Sequence, residues 1–135
     1  RQSPLADHKT LNYLYYLLAG KWAKARGADE ALITNPDGGI SETNTGNILM
    51  LQGRTVIRPV SPHVLSGVME KRVTKYLTDS GFGFSHRRVV AGEMPDFDTV
   101  IVTNSLMGAV PVIDVAGTKL SPEQGLCRQI NAAVL

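Results

Sequence analysis

Three kinds of side chain in this sequence could take part in chemistry. Lys9 stands between His8 and Thr10, just ahead of the first helical stretch. A lysine there is ordinarily a solvated cation. The positive end of a helix dipole opposes a like charge, however, and such a field is one way an amine becomes nucleophilic. Glu42, in Ile40-Ser41-Glu42-Thr43-Asn44, is flanked by apolar strand-like residues. It reads either as a strand-edge carboxylate or as one aimed at a pyridinium nitrogen, which would keep that ring protonated and electron-withdrawing. Leu65-Ser66-Gly67-Val68-Met69 enters a helical stretch. A glycine there leaves backbone N–H groups open to an anion such as phosphate, and a plain helix start capped by Ser66 is equally consistent. Thr103-Asn104-Ser105-Leu106 follows an apolar run and reads as an ordinary turn or as a second phosphate contact. Neither segment is a GxGxxG or a GxxxxGK[ST] loop.

Other chemistries are poorly served. His8, His63 and His86 share no metal-ligand spacing, and no HExxH or GxSxG occurs. Cys127 is the single cysteine, which rules out an internal disulfide and a CxxC metal site. It reads as a small packed residue and fits a reducing compartment. Lys plus Arg is 14 against 12 for Asp plus Glu, a net charge of +2. The charges are scattered, so nothing points to nucleic acid or a membrane surface. No apolar run approaches the roughly 20 residues of a membrane span. With 135 residues, 43% of them hydrophobic, the chain has a core-forming composition of one-domain size.

The elements that must position these residues follow from periodicity. Residues 1–8 are polar and proline-containing, and read as a linker ahead of a domain over 9–135. Leu11, Leu14, Tyr15, Leu18, Trp22 and Ala25 recur at helical spacing as one apolar face, with Gly27 as the stop. Strands are expected at 30–34, from Ile40, at 47–51, at 55–59, at 84–90, at 99–103 and at 109–115. The continuous apolar run at 47–51 predicts burial on both faces. Leu65, Val68, Met69, Val73, Tyr76 and Leu77 predict a second helix ending at Gly81, and 93–98 reads as one helical turn. Ser121-Pro122 predicts the start of a last helix over 122–134. The sum is a mixed α/β domain with more strands than helices.

Four segments, in order, resemble one family: Lys9-Thr10-Leu11-Asn12-Tyr13-Leu14, Ala28-Asp29-Glu30-Ala31-Leu32, Ser41-Glu42-Thr43-Asn44-Thr45-Gly46-Asn47-Ile48, and Thr103 through Val112. The chain is similar to the class IV aminotransferases, the pyridoxal-phosphate enzymes of fold type IV. These include branched-chain and D-amino acid aminotransferases and 4-amino-4-deoxychorismate lyase. The resemblance implies pyridoxal 5'-phosphate as cofactor and the large C-terminal domain of that fold, a pseudo-barrel of strands with flanking helices. It implies that Lys9 forms the Schiff base with the cofactor and moves the proton. Glu42 would bond the pyridine nitrogen, and Leu65 would pack against the ring. The Gly67 and Val68 amides would hold the phosphate, with Ser105, and Leu106 beside it, contacting the cofactor from a strand end.

Two departures favour the lyase branch. Met69 stands where the aminotransferases usually carry Thr, and Asn104-Ser105-Leu106-Met107 replaces a Thr-rich segment. Glu70 replaces a common arginine, and the sequence gives no reason for that change. The expected activity is therefore elimination of pyruvate to give 4-aminobenzoate, for folate synthesis. The alternatives are an aminotransferase using the same Lys9, or a degenerate relative without catalysis. The family also implies a small amino substrate, a homodimer in the cytoplasm, and chains of roughly twice this length. The sequence starts at Arg1 without Met and is expected to lack an N-terminal domain, which is removed by proteolysis, left out or present as a separate chain.

Overall fold

The computed structural model describes residues 14–62, 64 and 67–135. Its centre is a pair of antiparallel strands, β3 (Asn47–Gln52) and β6 (Thr99–Asn104), with Leu49 opposite Ile101. β3 is apolar at Ile48–Leu51 and β6 is rich in β-branched residues, and both are covered on two faces as the run at 47–51 predicts. A turn through Gly53 (φ 57°) returns the chain as β4 (Thr55–Pro59) beside β3. From β4 the chain crosses through helix α2 (Val68–Asp79) to β5 (Gly83–Arg87), which pairs parallel to β4. On the other side β7 (Gly108–Pro111) pairs with β6, so the sheet order is β5-β4-β3-β6-β7.

The side chains alternate between two cores. Leu49, Leu51, Val56 and Ile101 face α2 and α3 (Leu126–Val134), meeting Met69, Val73, Leu77, Ile130 and Val134. Ile48, Met50, Ile57 and Val100 face the opposite way, against Val89, Met94 and Phe97. Each fully buried aliphatic side chain contributes about 1.5–3 kcal/mol. Two ribbons complete the second core. One is β1 (Leu32–Thr34) with β2 (Ile40–Thr43), which delivers Ile40; the other is β8 (Asp114–Val115) with β9 (Thr118–Lys119). The Ile40 amide donates to Val89 O at 2.7 Å, and a single bridge joins Gly39 to Val90. The strands thus wrap a shared core, with the ribbons attached by a bridge and by side chains rather than by one continuous ladder.

Four expectations need adjustment. Helix α1 (Leu14–Ala25) forms as its spacing predicts, but its large apolar residues do not face the core. Leu14, Leu18 and Trp22 are more than half exposed, while Gly20 and Ala23 are buried and Tyr16 and Ala19 pack against Ala31 and Ile33. The small residues win because the approach is close: a Cβ on Gly20 would lie 2.6 Å from Asn44 Nδ2. The strand expected at 84–90 stops at Arg87, because the Val90 amide turns to Glu93 Oε2 and Val89 serves β2. The strand expected at 109–115 is split: the Val112 amide makes a last bond to Val100 O at 2.9 Å, and past it the chain leaves β6 and pairs with β9 as β8. The last helix starts at Leu126, not at Pro122, since the Thr99 hydroxyl takes the Glu123 amide at 2.9 Å and holds that segment out of helix.

Candidate functional site

β4 runs antiparallel to β3, and so does β6. The end of β4, the start of β3, the end of β6 and the start of β7 therefore lie at one end of the sheet. α2 starts there as well. The sequence-predicted residues Glu42, Gly67, Val68, Ser105 and Leu106 are brought to this end. Lys9 and Leu65, like the linker 1–8, lie outside the described residues.

Glu42 is buried on β2, opposite Ile33 of β1 on the face turned to α1. The Tyr16 hydroxyl, two residues into α1, donates to Glu42 Oε2 at 2.7 Å. A carboxylate this deeply buried is costly without such donors. After Thr43 the chain makes a tight turn, with the Gly46 amide donating to Thr43 Oγ1 at 3.0 Å and the Thr43 amide to Gly46 O at 2.9 Å. This turn sits directly on β6: a Cβ on Gly46 would collide with the Thr103 carbonyl. The contact sets the Glu42 strand against the strand end that carries Ser105.

α2 is joined to the same place from the other side. Gly67 precedes its first turn in extended conformation (φ −81°, ψ 143°) and has no side chain with which to cap it. A Cβ at Gly67 would strike Asn47 Oδ1, so the glycine lets the helix start close onto β3. Val68 is exposed and Met69 is buried in the helix-facing core. Upstream, the Ser61 hydroxyl lies 3.0 Å from Ser41 Oγ and 3.1 Å from Asn35 Oδ1, which fastens the segment after β4 to β2. Ser105 and Leu106 occupy the β6–β7 turn and are exposed, Leu106 at 94%. The Asn104 side chain shapes that turn by accepting from the Leu106 and Met107 amides at 3.0 and 2.8 Å.

Several residues of this end were not singled out in the sequence. Tyr16 reads as one more apolar helix residue. Asn47, the polar start of an otherwise apolar buried strand, is the cross-strand partner of Thr103, which the sequence marked only as part of the segment 103–106. That polar end is the signal that could have found Asn47. Asn131 of α3 clamps Ala109, accepting from its amide at 2.7 Å and donating to its carbonyl at 3.0 Å. Glu70 finds its explanation here. It is buried in the first turn of α2 and its Oε1 lies 3.3 Å from Arg58 Nε on β4. Burial pushes its carboxyl above the usual range, and Arg58 and Lys71 partly offset that.

The set suits a flat, anionic, nitrogen-containing ring. A helix start with no side-chain cap among the described residues offers amides to an anion. A buried carboxylate with its own orienting donor suits a ring cation, and the Thr103 hydroxyl is buried with no partner. Among the described residues no cluster of His, Cys, Asp and Glu could hold a metal ion, and no helix is long and apolar enough to cross a membrane.

Comparison with known proteins agrees with the geometry. A D-alanine aminotransferase of Bacillus licheniformis is 25% identical over 112 residues, covering 82% of this chain and 39% of its own length. An aminodeoxychorismate lyase of Vibrio harveyi is 27% identical over 116 residues, covering 85% and 43%. Among solved structures, a fold IV transaminase from Curtobacterium pusillum superimposes with a TM-score of 0.89 at 27% identity, over 96% of this chain and 44% of that one. An aminotransferase from Brucella abortus bound to pyridoxal phosphate gives 0.79 at 27%, over 90% and 43%. The chain thus spans about two fifths of the length of these relatives. The sequence model of the amino-transferase class IV family matches residues 1–115, and the chain belongs to that family.

Proposed function

We propose that this chain carries the pyridoxal-phosphate site of a class IV enzyme. The observation that carries the reading is Glu42, buried and bonded to Tyr16, at the same sheet end as the uncapped start of α2. Glu42 would bond the pyridine nitrogen and keep a proton on it. The amides of Gly67 and Val68 would bind the phosphate, with Ser105 adding a hydroxyl from the β6–β7 turn and Leu106 lying beside it. Leu65 is proposed to pack on the ring, and Lys9 to bind the cofactor covalently and move the substrate proton. The bound cofactor supplies an electron sink for the pair left when that proton departs.

Within the family the reading leans to a lyase that releases pyruvate from aminodeoxychorismate and leaves 4-aminobenzoate, for folate synthesis. Met69 supports this, since its side chain is packed in the core and offers the phosphate no hydroxyl. The Asn104–Met107 turn supports it too, because Asn104 spends its carbonyl on the turn. Aminotransferase activity on branched-chain or D-amino acids is the second reading, favoured by the relatives of that kind. Substrate selection is proposed to need protein beyond these 135 residues, as an N-terminal domain or separate chain, together with a second copy in a homodimer. The working compartment is proposed to be the cytoplasm.

The test begins with borohydride reduction of the purified protein and peptide mass spectrometry. A pyridoxyl adduct on Lys9 is expected; an unmodified Lys9 with cofactor bound elsewhere refutes the assignment. Aminodeoxychorismate and D-alanine are then offered separately. Pyruvate with 4-aminobenzoate supports the lyase, and conversion of the cofactor to pyridoxamine phosphate supports the transaminase.

A further inference from the structure

Thr103 is 1% exposed, and its Oγ1 is the one buried side-chain polar atom without a hydrogen-bond partner among the described residues. Such groups are rare, because a desolvated hydroxyl with no partner is costly. Its position is specific. Thr103 is the cross-strand partner of Asn47 on one side and of Ala109 on the other. Directly opposite residues of antiparallel strands point to the same face. That face is the one covered by α2 and α3, since Leu49 and Ile101 of the same rows meet those helices. The Asn47 carboxamide abuts Gly67, the residue from which α2 starts. The orphan hydroxyl therefore lies one strand over from the support of an uncapped, twelve-residue helix. Two independent features, helix-start amides with no side-chain cap among the described residues and a buried unpaired hydroxyl, converge there.

We propose that Thr103 is a phosphate-binding residue of this site, its hydroxyl bonding a phosphate oxygen seated at the start of α2, directly or through one buried water. The inference deepens the pyridoxal-phosphate reading and rests on it for the identity of the phosphate carrier. The alternative hydroxyl, on Ser105, is at the exposed turn. Thr103 would grip from below, where water does not compete.

The experiment compares wild type, Thr103→Val and Thr103→Ser, each with the full-length protein. Dissociation constants are measured by equilibrium dialysis for pyridoxal phosphate and for pyridoxal, and by phosphorus NMR for inorganic phosphate. Thr103→Val is expected to weaken pyridoxal phosphate and inorganic phosphate by about tenfold, as for one hydrogen bond to a charged group. Pyridoxal should bind unchanged, and Thr103→Ser should restore most of the loss. Removing a group that is unpaired in the free protein should leave the thermal midpoint the same or higher, so a folding defect is distinguishable. If pyridoxal phosphate binds wild type and Thr103→Val equally, the role of Thr103 is overturned and the cofactor reading stands. A phosphate effect of Thr103→Val in a protein that ignores pyridoxal phosphate keeps the role of Thr103 and overturns the cofactor. Wild type that binds none of the three overturns both.

Discussion

Tyr16 of α1 donates its hydroxyl to Oε2 of Glu42 on β2, 2.7 Å away and 26 residues apart in sequence. The contact ties α1, which packs on the β1–β2 ribbon, to the carboxylate that we assign to the ring nitrogen. Tyr16→Phe removes the donor and leaves the shape. A hydrogen bond to a charged group is worth about 1.5–3 kcal/mol, so unfolding by urea should show a loss in that range. The cofactor should still bind, with weaker hold on its nitrogen. Glu42→Gln should keep cofactor binding and slow turnover strongly; full activity in Glu42→Gln would remove the role proposed for it.

Gly46 and Gly67 each sit where an added Cβ would collide. At Gly46 the obstacle is the Thr103 carbonyl, which cannot rotate away, whereas at Gly67 it is the end of the Asn47 side chain. Gly46→Ala is therefore expected to destabilise by about 1–3 kcal/mol, in the range of an overpacked core. Gly67→Ala should cost less stability. Thermal melts of the two variants, side by side, test the order, and equal losses would mean that the Thr103 strand end can yield.

The Arg58–Glu70 pair predicts a pH dependence with a definite sign. Burial raises the Glu70 carboxyl above its unfolded value of 4.5, so the folded protein holds that proton more tightly. Stability from this group is fully present below the unfolded pKa and falls as pH rises through the folded one. Glu70→Gln cannot titrate. Its stability relative to wild type should therefore increase from pH 4.5 to pH 7. The lowered carboxyls of Asp37, Glu93 and Asp114 act in the opposite direction but are common to both proteins. Denaturant midpoints at the two pH values measure the difference, and a constant difference would show that Glu70 does not titrate differently on folding.

Helix α1 marks the limit of periodicity as a guide. Leu14, Leu18 and Trp22 have helical spacing, and the helix forms, yet its packed side is Tyr16, Ala19, Gly20 and Ala23. Apolar spacing reports how oily each face is, whereas the packed face was set by how near Asn44 must come. Central strands were legible because the continuous apolar runs at 48–51 and 100–102 leave few alternatives. The residues proposed for the site, Glu42, Gly67 and Ser105, stand out in the sequence by type. Their supports do not, since Asn131 serves Ala109 from 22 residues away and Asn47 meets Gly67 only across the fold. Leu18→Gln should accordingly change stability by less than about 0.5 kcal/mol, as at an exposed position. Ala23→Leu, into the packed face, should cost about 1–3 kcal/mol. Equal effects in a denaturant titration would restore the sequence-derived face.

Cys127 gives a probe of the α3 layer. Its thiol is buried among the helix-facing core residues, and burial pushes its pKa up to about 11. Thiolate is the reactive form, so at pH 8 very little is available in the folded protein. Alkylation by iodoacetamide should be slow in buffer and should accelerate as urea unfolds the chain, with the same midpoint as loss of helix by circular dichroism. Opening of α3 alone would separate the two curves, with alkylation rising at lower urea. Because Asn131 ties α3 to Ala109, beside Thr103, Asn131→Ala should produce that separation. Coincident curves in Asn131→Ala would mean that α3 stays docked through Ile130 and Val134 without the Ala109 clamp.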